Sequence, residues 1–390
     1  MSAFSKIDVK DKDLLVSLQD FFKNLLESDK IDALMIPWHL PMNNTVMPTL
    51  IYDPKAMENA DPLAPCFPIN SAKMASKLTK RPPGQTVGLV MRPCEIRAFV
   101  ELIKLKQGAL DDIVIISLDC LGAFCNTDYN IFAKEDSRGA TRKFYEHVLD
   151  KKTGPITGAT EGLDLTNACK VCEHPVSKNA DINIGLYGID YKSHLIMEAS
   201  TPRGQEAIEA LSPIEMAESS GREQAINSLV SDRIIKRDEM FEQISTTTSN
   251  IEMLSTYLSK CVNCYNCRVA CPVCYCKECV FVTDVFDHDP FQYLQWAKHK
   301  GKIKMPIDTD FFHLTRMAHI GLTCVGCGQC SNACPNDIPL MELFRTVAHT
   351  AQAAFNYEAG RSVDEPFPLS SFEDNEFEEV VGISSRSGQQ

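Results

Sequence analysis

VGLVMRPCEIRAFVELIKLKQGALDDIVIISLDC, residues 87–120, sets the fold class. Val87–Met91 and Ile113–Leu118 are apolar runs of strand length without polar alternation, which is how strands covered on both faces read. Between them Ile96, Phe99, Val100, Leu102, Ile103 and Leu105 recur at helical spacing, so Cys94 to Gln107 reads as a helix. Strand, helix, strand is a βαβ unit and predicts an α/β domain. Working outward, Leu14, Leu15, Leu18, Phe21, Phe22, Leu25 and Leu26 predict an amphipathic first helix. Ala33–Ile36, Thr49–Tyr52, Ile182–Tyr187 and His194–Glu198 supply further strand candidates. The α/β domain is expected over residues 1–200. A charged stretch over 201–257, with Arg222, Arg233, Lys236 and Arg237, reads as a helical connector with solvated faces. A cysteine-rich region occupies 258–360, and 361–390 reads as a flexible acidic tail.

The chain has 390 residues, seventeen of them cysteine, and a formal charge of −13. It has no basic cluster of the kind a nucleic-acid surface needs. The longest apolar stretch, Ile113–Leu118, is too short for a bilayer, and Met1–Lys10 has no signal-peptide core. The expected location is the cytoplasm, where thiols stay reduced. Cysteines separated by two or three residues then point to metal ligation rather than to disulfides.

Cys261-x2-Cys264-x2-Cys267-x3-Cys271-Pro272 and Cys324-x2-Cys327-x2-Cys330-x3-Cys334-Pro335 both have the spacing of the bacterial ferredoxin run. Three thiolates two residues apart let one loop wrap three corners of an iron–sulfur cube, and the fourth cysteine reaches across to the other cube. Cys261, Cys264, Cys267 and Cys334 are therefore expected on one 4Fe–4S cluster, and Cys324, Cys327, Cys330 and Cys271 on the other. Zinc sites use paired C-x2-C knuckles instead. Gly326 and Gly328 allow the backbone to approach the cluster closely. Helices around Pro290–His299 and Phe311–Ile320 in the long insert predict a mainly helical ferredoxin-type domain over 258–360; a small β/α ferredoxin core with an insertion is the alternative. Cys274, Cys276 and Cys279 are candidates for a fourth cluster, with Cys66 or Cys125 as outside ligand, or else are buried thiols. His313, Arg316 and His319 share one helical face and can donate to cluster sulfur.

A second group of thiols lies in the front half. Cys94 stands at a strand-to-helix turn and Cys120 at the end of the next strand. In an α/β sheet the carboxyl ends of neighbouring strands face one crevice. If Cys169-x2-Cys172 folds over that crevice, four thiolates meet and a third cluster follows. Arg-Pro-Cys-Glu-Ile-Arg-Ala at 92–98, the strand ending in Cys120, and Cys-x2-Cys followed by Ala-Asp-Ile-x-Ile-Gly at 180–185 resemble the beta-subunit family of coenzyme F420 hydrogenases and formate dehydrogenases. The resemblance spans roughly residues 80–200. It implies an α/β domain that binds FAD beside a 4Fe–4S cluster and exchanges electrons with a soluble two-electron carrier or a partner subunit. By motif match the cluster ligands are Cys94, Cys120, Cys169 and Cys172, with Cys125 the rival of Cys120.

The carrier implied is coenzyme F420 or NAD(P)H, and Tyr187–Tyr191 departs from the family where the deazaflavin-contacting segment is expected. Partners implied are a formate dehydrogenase, a hydrogenase or a heterodisulfide-reductase-like subunit. No G-x-G-x-x-G fingerprint occurs, so a standard Rossmann site is not expected. Candidate flavin contacts are Asn70, Ser71 and Lys73 at a helix start, where N–H groups can hold a phosphate, and Arg92 and Arg97 flanking Cys94. The expectation is an oxidoreductase subunit, with a flavin-free electron wire as the alternative.

Overall fold

The computed structural model describes residues 4–41, 45–150, 163–209, 211, 221–368 and 370. Among them seven strands form one sheet: β1 (Phe4–Asp8), β2 (Ala33–His39), β3 (Val46–Ile51), β4 (Val87–Val90), β5 (Ile113–Leu118), β6 (Ile182–Gly185) and β7 (His194–Ala199). Their order is β1-β7-β6-β5-β4-β2-β3. The central four, β2, β4, β5 and β6, are parallel, and antiparallel β3 and β7 flank them. Every residue of β4, β5 and β6 is buried, as the unbroken apolar runs require. β1 pairs with β7 from Phe4 to Asp8, although Met1–Lys10 carries no strand signal.

The front half supplies α1 (Leu14–Leu26), α2 (Ala72–Leu78), α3 (Pro93–Lys104), α4 (Asn126–Phe132), α5 (Ser137–Leu149), α6 (Asn167–Lys170) and α7 (Pro202–Glu209). Asp13 caps α1 by accepting from the Leu15 and Val16 N–H groups, and the helix buries its Leu14, Leu18, Phe22, Leu25 stripe. The back half is helical: α8 (Arg222–Thr247), α9 (Ile251–Tyr257), α10 (Asn266–Ala270), α11 (Pro290–Lys300), α12 (Thr309–Ile320), α13 (Gln329–Asn332) and α14 (Leu340–Ala354). Among the described residues no helix is long and apolar enough to cross a membrane. Most of the expected acidic tail, 371–390, lies outside the described residues.

Two cores cover the sheet. One joins α1, α4 and α5 to Ile116, Ile182 and Leu195. The other starts from Leu89, Ile96, Phe99 and Ile115 and runs without a break into Phe312, Ile320, Phe344 and Leu340. The segment after α14, Tyr357 to Gly360, packs directly against α3. Glu101 ties them together: fully buried, it accepts hydrogen bonds from the Tyr357 hydroxyl at 2.6 Å and the Gly360 N–H at 2.7 Å.

Candidate functional site

β4 and β5 end side by side, and their carboxyl ends place Cys94 and Cys120. Pro93 opens α3 at a position where a missing N–H is harmless. Glu95 closes the turn, accepting from the Arg92 N–H at 2.8 Å and from the Ser71 N–H at 2.8 Å. After β5, Asp119 accepts from the Leu186 and Tyr187 N–H groups and pairs with buried Arg222. The next N–H, of Cys120, donates to the Pro175 carbonyl at 2.8 Å, which draws the loop carrying Cys172 over the strand ends. Cys94, Cys120, Cys169 and Cys172 consequently line one cavity, together with Arg92, Arg233 and Cys327. Cys125 is elsewhere, beside Thr127 at the start of α4 and facing a different cavity. Cys66 is buried, and its carbonyl accepts from Arg92.

The protonated thiols of this cavity resist ionisation. Burial lifts Cys94 well above its ordinary value, and Cys120, Glu95 and Cys327 add to the shift. Burial pushes Cys120 up to about 11 against the pull of Arg92, and raises Cys172 against Arg345 and Arg233. Bound cations reverse that balance, since a coordinating thiol is deprotonated outright.

The two four-cysteine runs meet crosswise. Burial pushes Cys267 up to about 11; Arg316 opposes the shift, while Cys261, Cys264 and Cys334 lie close enough to add to it. Cys330 is raised by burial, again against Arg316, with Cys271, Cys324 and Cys327 as its thiol neighbours. Cys334 thus stands with the first run and Cys271 with the second. Gly326 and Gly328 have φ of 68° and 81°, and a Cβ on Gly328 would stand 2.5 Å from Ala168. The second loop therefore lies directly against α6, the helix that carries Cys169. Cys327 also lines the front cavity, so the thiol sets adjoin one another.

Donors surround the sulfurs. The Arg316 guanidinium reaches the Cys267 sulfur at 3.0 Å and stacks 4.4 Å over the Phe344 ring. His313 Nε2 lies 3.4 Å from the Cys261 sulfur, while His319 is exposed. Arg233 donates to the Cys172 carbonyl at 3.2 Å and Arg345 to the Val171 carbonyl at 2.8 Å. The reading of α8 as a solvated connector is corrected here: Arg222 and Arg233 are both buried. One face of α8 lies across the sheet ends, and only its other positions meet water. Charge patterning alone cannot tell such a face from a solvated one.

Of the five candidate flavin contacts, Asn70 is buried beside the Cys327 thiol, and its side-chain hydrogen bond favours the thiolate there. The Ser71 hydroxyl is buried and unpartnered. Lys73 donates to the Val269 carbonyl, and Arg97 to the carbonyls of Ala359 and Val325, so both brace the back half. Arg92 donates to the Ala64 and Cys66 carbonyls. It also lines a second cavity, formed by Pro37, Leu63, Val90, Leu118 and Cys120 at the carboxyl edge of the parallel strands. Cys274 lies next to Cys271 and Lys73, Cys276 is exposed, and Cys279 is half-buried. Among the described residues no three His, Cys, Asp or Glu side chains converge on a single ion-sized centre.

Residues 84–222, which hold all four front thiols, match the family model for the C terminus of the coenzyme F420 hydrogenase/dehydrogenase beta subunit. The F420-dependent formate dehydrogenase subunit beta of Methanocaldococcus jannaschii is 25% identical over 374 residues, covering 89% of this chain and 91% of that protein. Over residues 84–222 the chain is similar to this beta-subunit family. A second beta-subunit relative, the F420-dependent formate dehydrogenase 1 subunit beta of Methanococcus maripaludis, is 26% identical over 303 residues, 72% of this chain and 74% of that one. A chain of the solved F420-reducing [NiFe] hydrogenase complex from Methanosarcina barkeri aligns with a TM-score of 0.42 at 17% identity, over 63% of this chain and 92% of that one. The names of these relatives support an oxidoreductase subunit, and the seventeen cysteines of this chain fit iron–sulfur binding.

Proposed function

We propose that this chain is a beta subunit that moves electrons between a two-electron carrier, coenzyme F420 or NAD(P)H, and a partner redox subunit through a flavin and three 4Fe–4S clusters. The observation that carries the reading is the contiguity of the thiol sets. Cys94, Cys120, Cys169 and Cys172 share a cavity with Cys327, which belongs to the set completed by Cys324, Cys330 and Cys271. That set meets the one of Cys261, Cys264, Cys267 and Cys334 through Arg316, whose charge acts on both Cys267 and Cys330. Cys274, Cys276 and Cys279 remain candidate ligands of a fourth cluster. The relatives' names favour coenzyme F420 over NAD(P)H as carrier, and a formate dehydrogenase over a hydrogenase or heterodisulfide-reductase-like subunit as partner.

A flavin supplies the exchange between a hydride pair and single electrons, and cubanes carry those electrons one at a time. The chain's own residues supply the rest. The thiols and the buried cavity hold the centres away from water. Arg92, Arg233, Arg316 and Arg345 hold positive charge against thiolate and sulfide. The unpartnered Ser71 hydroxyl fits a polar cofactor atom. Arg92 faces both the front thiols and the cavity at the strand ends, where ligands of α/β sheets sit. Anaerobic purification with iron, flavin and EPR measurement tests the proposal. Twelve irons and one flavin per chain are expected, and reduction by F420H2 should bleach both flavin and cluster absorbance. Iron without flavin would leave the electron wire. Zinc in place of iron would end the reading.

A further inference from the structure

Residues 273–314, between the two four-cysteine runs, carry a surface that the rest of the described chain does not cover. Helices in soluble proteins gain most of their stability by packing an apolar face. Yet α11 has no buried residue, and its Phe291 and Leu294, one turn apart, are 62% and 72% exposed. Val285, Met305 and Phe311 are exposed as well, and Phe311 packs edge-on against Phe281. Exposed apolar surface on this scale marks an interaction site.

Asp284, Asp287 and Asp289 are exposed before α11, but after Leu294 the charge is of one sign. Lys298, Lys300, Lys302 and Lys304 are all exposed, and no acidic residue falls between 298 and 307, although the chain as a whole carries −13. The lysine run ends on a thiol set. Lys304 is near enough to Cys261 and His313 to act on both, and Cys264 of that set is exposed. Phe291, Leu294 and Lys298 share one face of α11, and the lysine run that starts there ends beside the thiol set with its exposed Cys264.

We propose that this face docks an iron–sulfur protein with acidic residues around an apolar centre, and that electrons cross there to or from the Cys261, Cys264, Cys267, Cys334 site. The inference rests on the electron-transfer reading above and adds where the partner sits and what it looks like. An acidic partner is the one a lysine rim attracts. A redox partner is the one for which an exposed cluster ligand has a use. One electron passes from the reduced centre to the oxidised one, and no bond or proton moves.

Stopped-flow mixing under anaerobic conditions tests it. The cluster-loaded full chain, reduced with dithionite, is mixed with an oxidised, small, acidic two-cubane ferredoxin as the probe. The second-order rate constant should fall steeply with ionic strength. K298E/K300E/K302E should slow it at least about tenfold at low salt and abolish the salt dependence. F291S/L294S should slow it by about tenfold, with iron content and far-UV circular dichroism unchanged. Chain without cubane EPR signals would sink the electron-transfer reading itself. Normal cubanes with rates indifferent to salt and to both variants would overturn the docking surface alone. Binding to phosphatidylserine vesicles that the same variants abolish, with the ferredoxin rate untouched, would overturn it in favour of a lipid surface.

Discussion

Arg316 donates from the middle of α12 to the sulfur of Cys267 at 3.0 Å, its guanidinium stacked on Phe344. Charge and hydrogen bonding at cluster sulfur set the potential of such centres, because the reduced cluster carries one more negative charge. Replacing Arg316 by Gln removes both and should lower the potential of the Cys267 centre by roughly 50–100 mV, measured by EPR-monitored redox titration. Arg316→Lys keeps the charge but loses the planar stack, and should give a smaller fall.

The front cavity discriminates between two rivals. Cys120→Ala should reduce iron by about four atoms per chain, the content of one cubane. Cys125→Ala should leave iron unchanged, since Cys125 faces Thr127 and a separate cavity. Iron lost from the Cys125 variant alone would reverse the assignment.

Cys334 follows the second run in sequence but stands with the first in space. Cys334→Ser should therefore alter the EPR signal of the centre held by Cys261, Cys264 and Cys267. The signal of the Cys324 centre should persist. The reverse pattern is expected of Cys271→Ser.

Asp119 and Arg222 form a buried pair at the end of β5. Arg222→Ala leaves the carboxylate buried and unpaired, and should cost about 3–5 kcal/mol of stability in denaturant titration. Asp119 also accepts from the Leu186 and Tyr187 N–H groups, so this variant should loosen the strand end beside Cys120 too.

Glu101 gives a pH signature. Burial raises its carboxyl pKa above the ordinary 4.5, against the lowering effect of Tyr357, Lys104 and the Gly360 N–H. The folded chain therefore holds this proton more tightly than the unfolded chain does. Its contribution is fully present below pH 4.5 and is lost as pH rises through the raised value. Glu101→Gln should flatten that part of the melting-temperature profile.

The α/β half was legible because β4, α3 and β5 each carry an unambiguous apolar period, and the strand ends then bring Cys94 and Cys120 together. The grouping of thiols in the back half followed from spacing alone, since a C-x2-C-x2-C loop can close on few shapes. What stayed hidden was set by tertiary contact. β1 exists because β7 offers it an edge, and its own residues, Phe4 to Asp8, are mixed. Arg222 and Arg233 look like surface charges in a sequence and become buried because Asp119 and the Cys172 carbonyl await them. Arg97 and Lys73, both plausible cofactor contacts by position, are committed to backbone carbonyls more than a hundred residues away.

The exchange of Cys271 and Cys334 between loops also bears on biogenesis. During synthesis the proposed centre of the first run lacks its fourth ligand until residue 334 has left the ribosome, and Cys271 waits for residues 324–330, so metallation cannot proceed loop by loop. Iron starvation should then deplete both together, and leave a chain whose α12 and α14 lack the inorganic template between them.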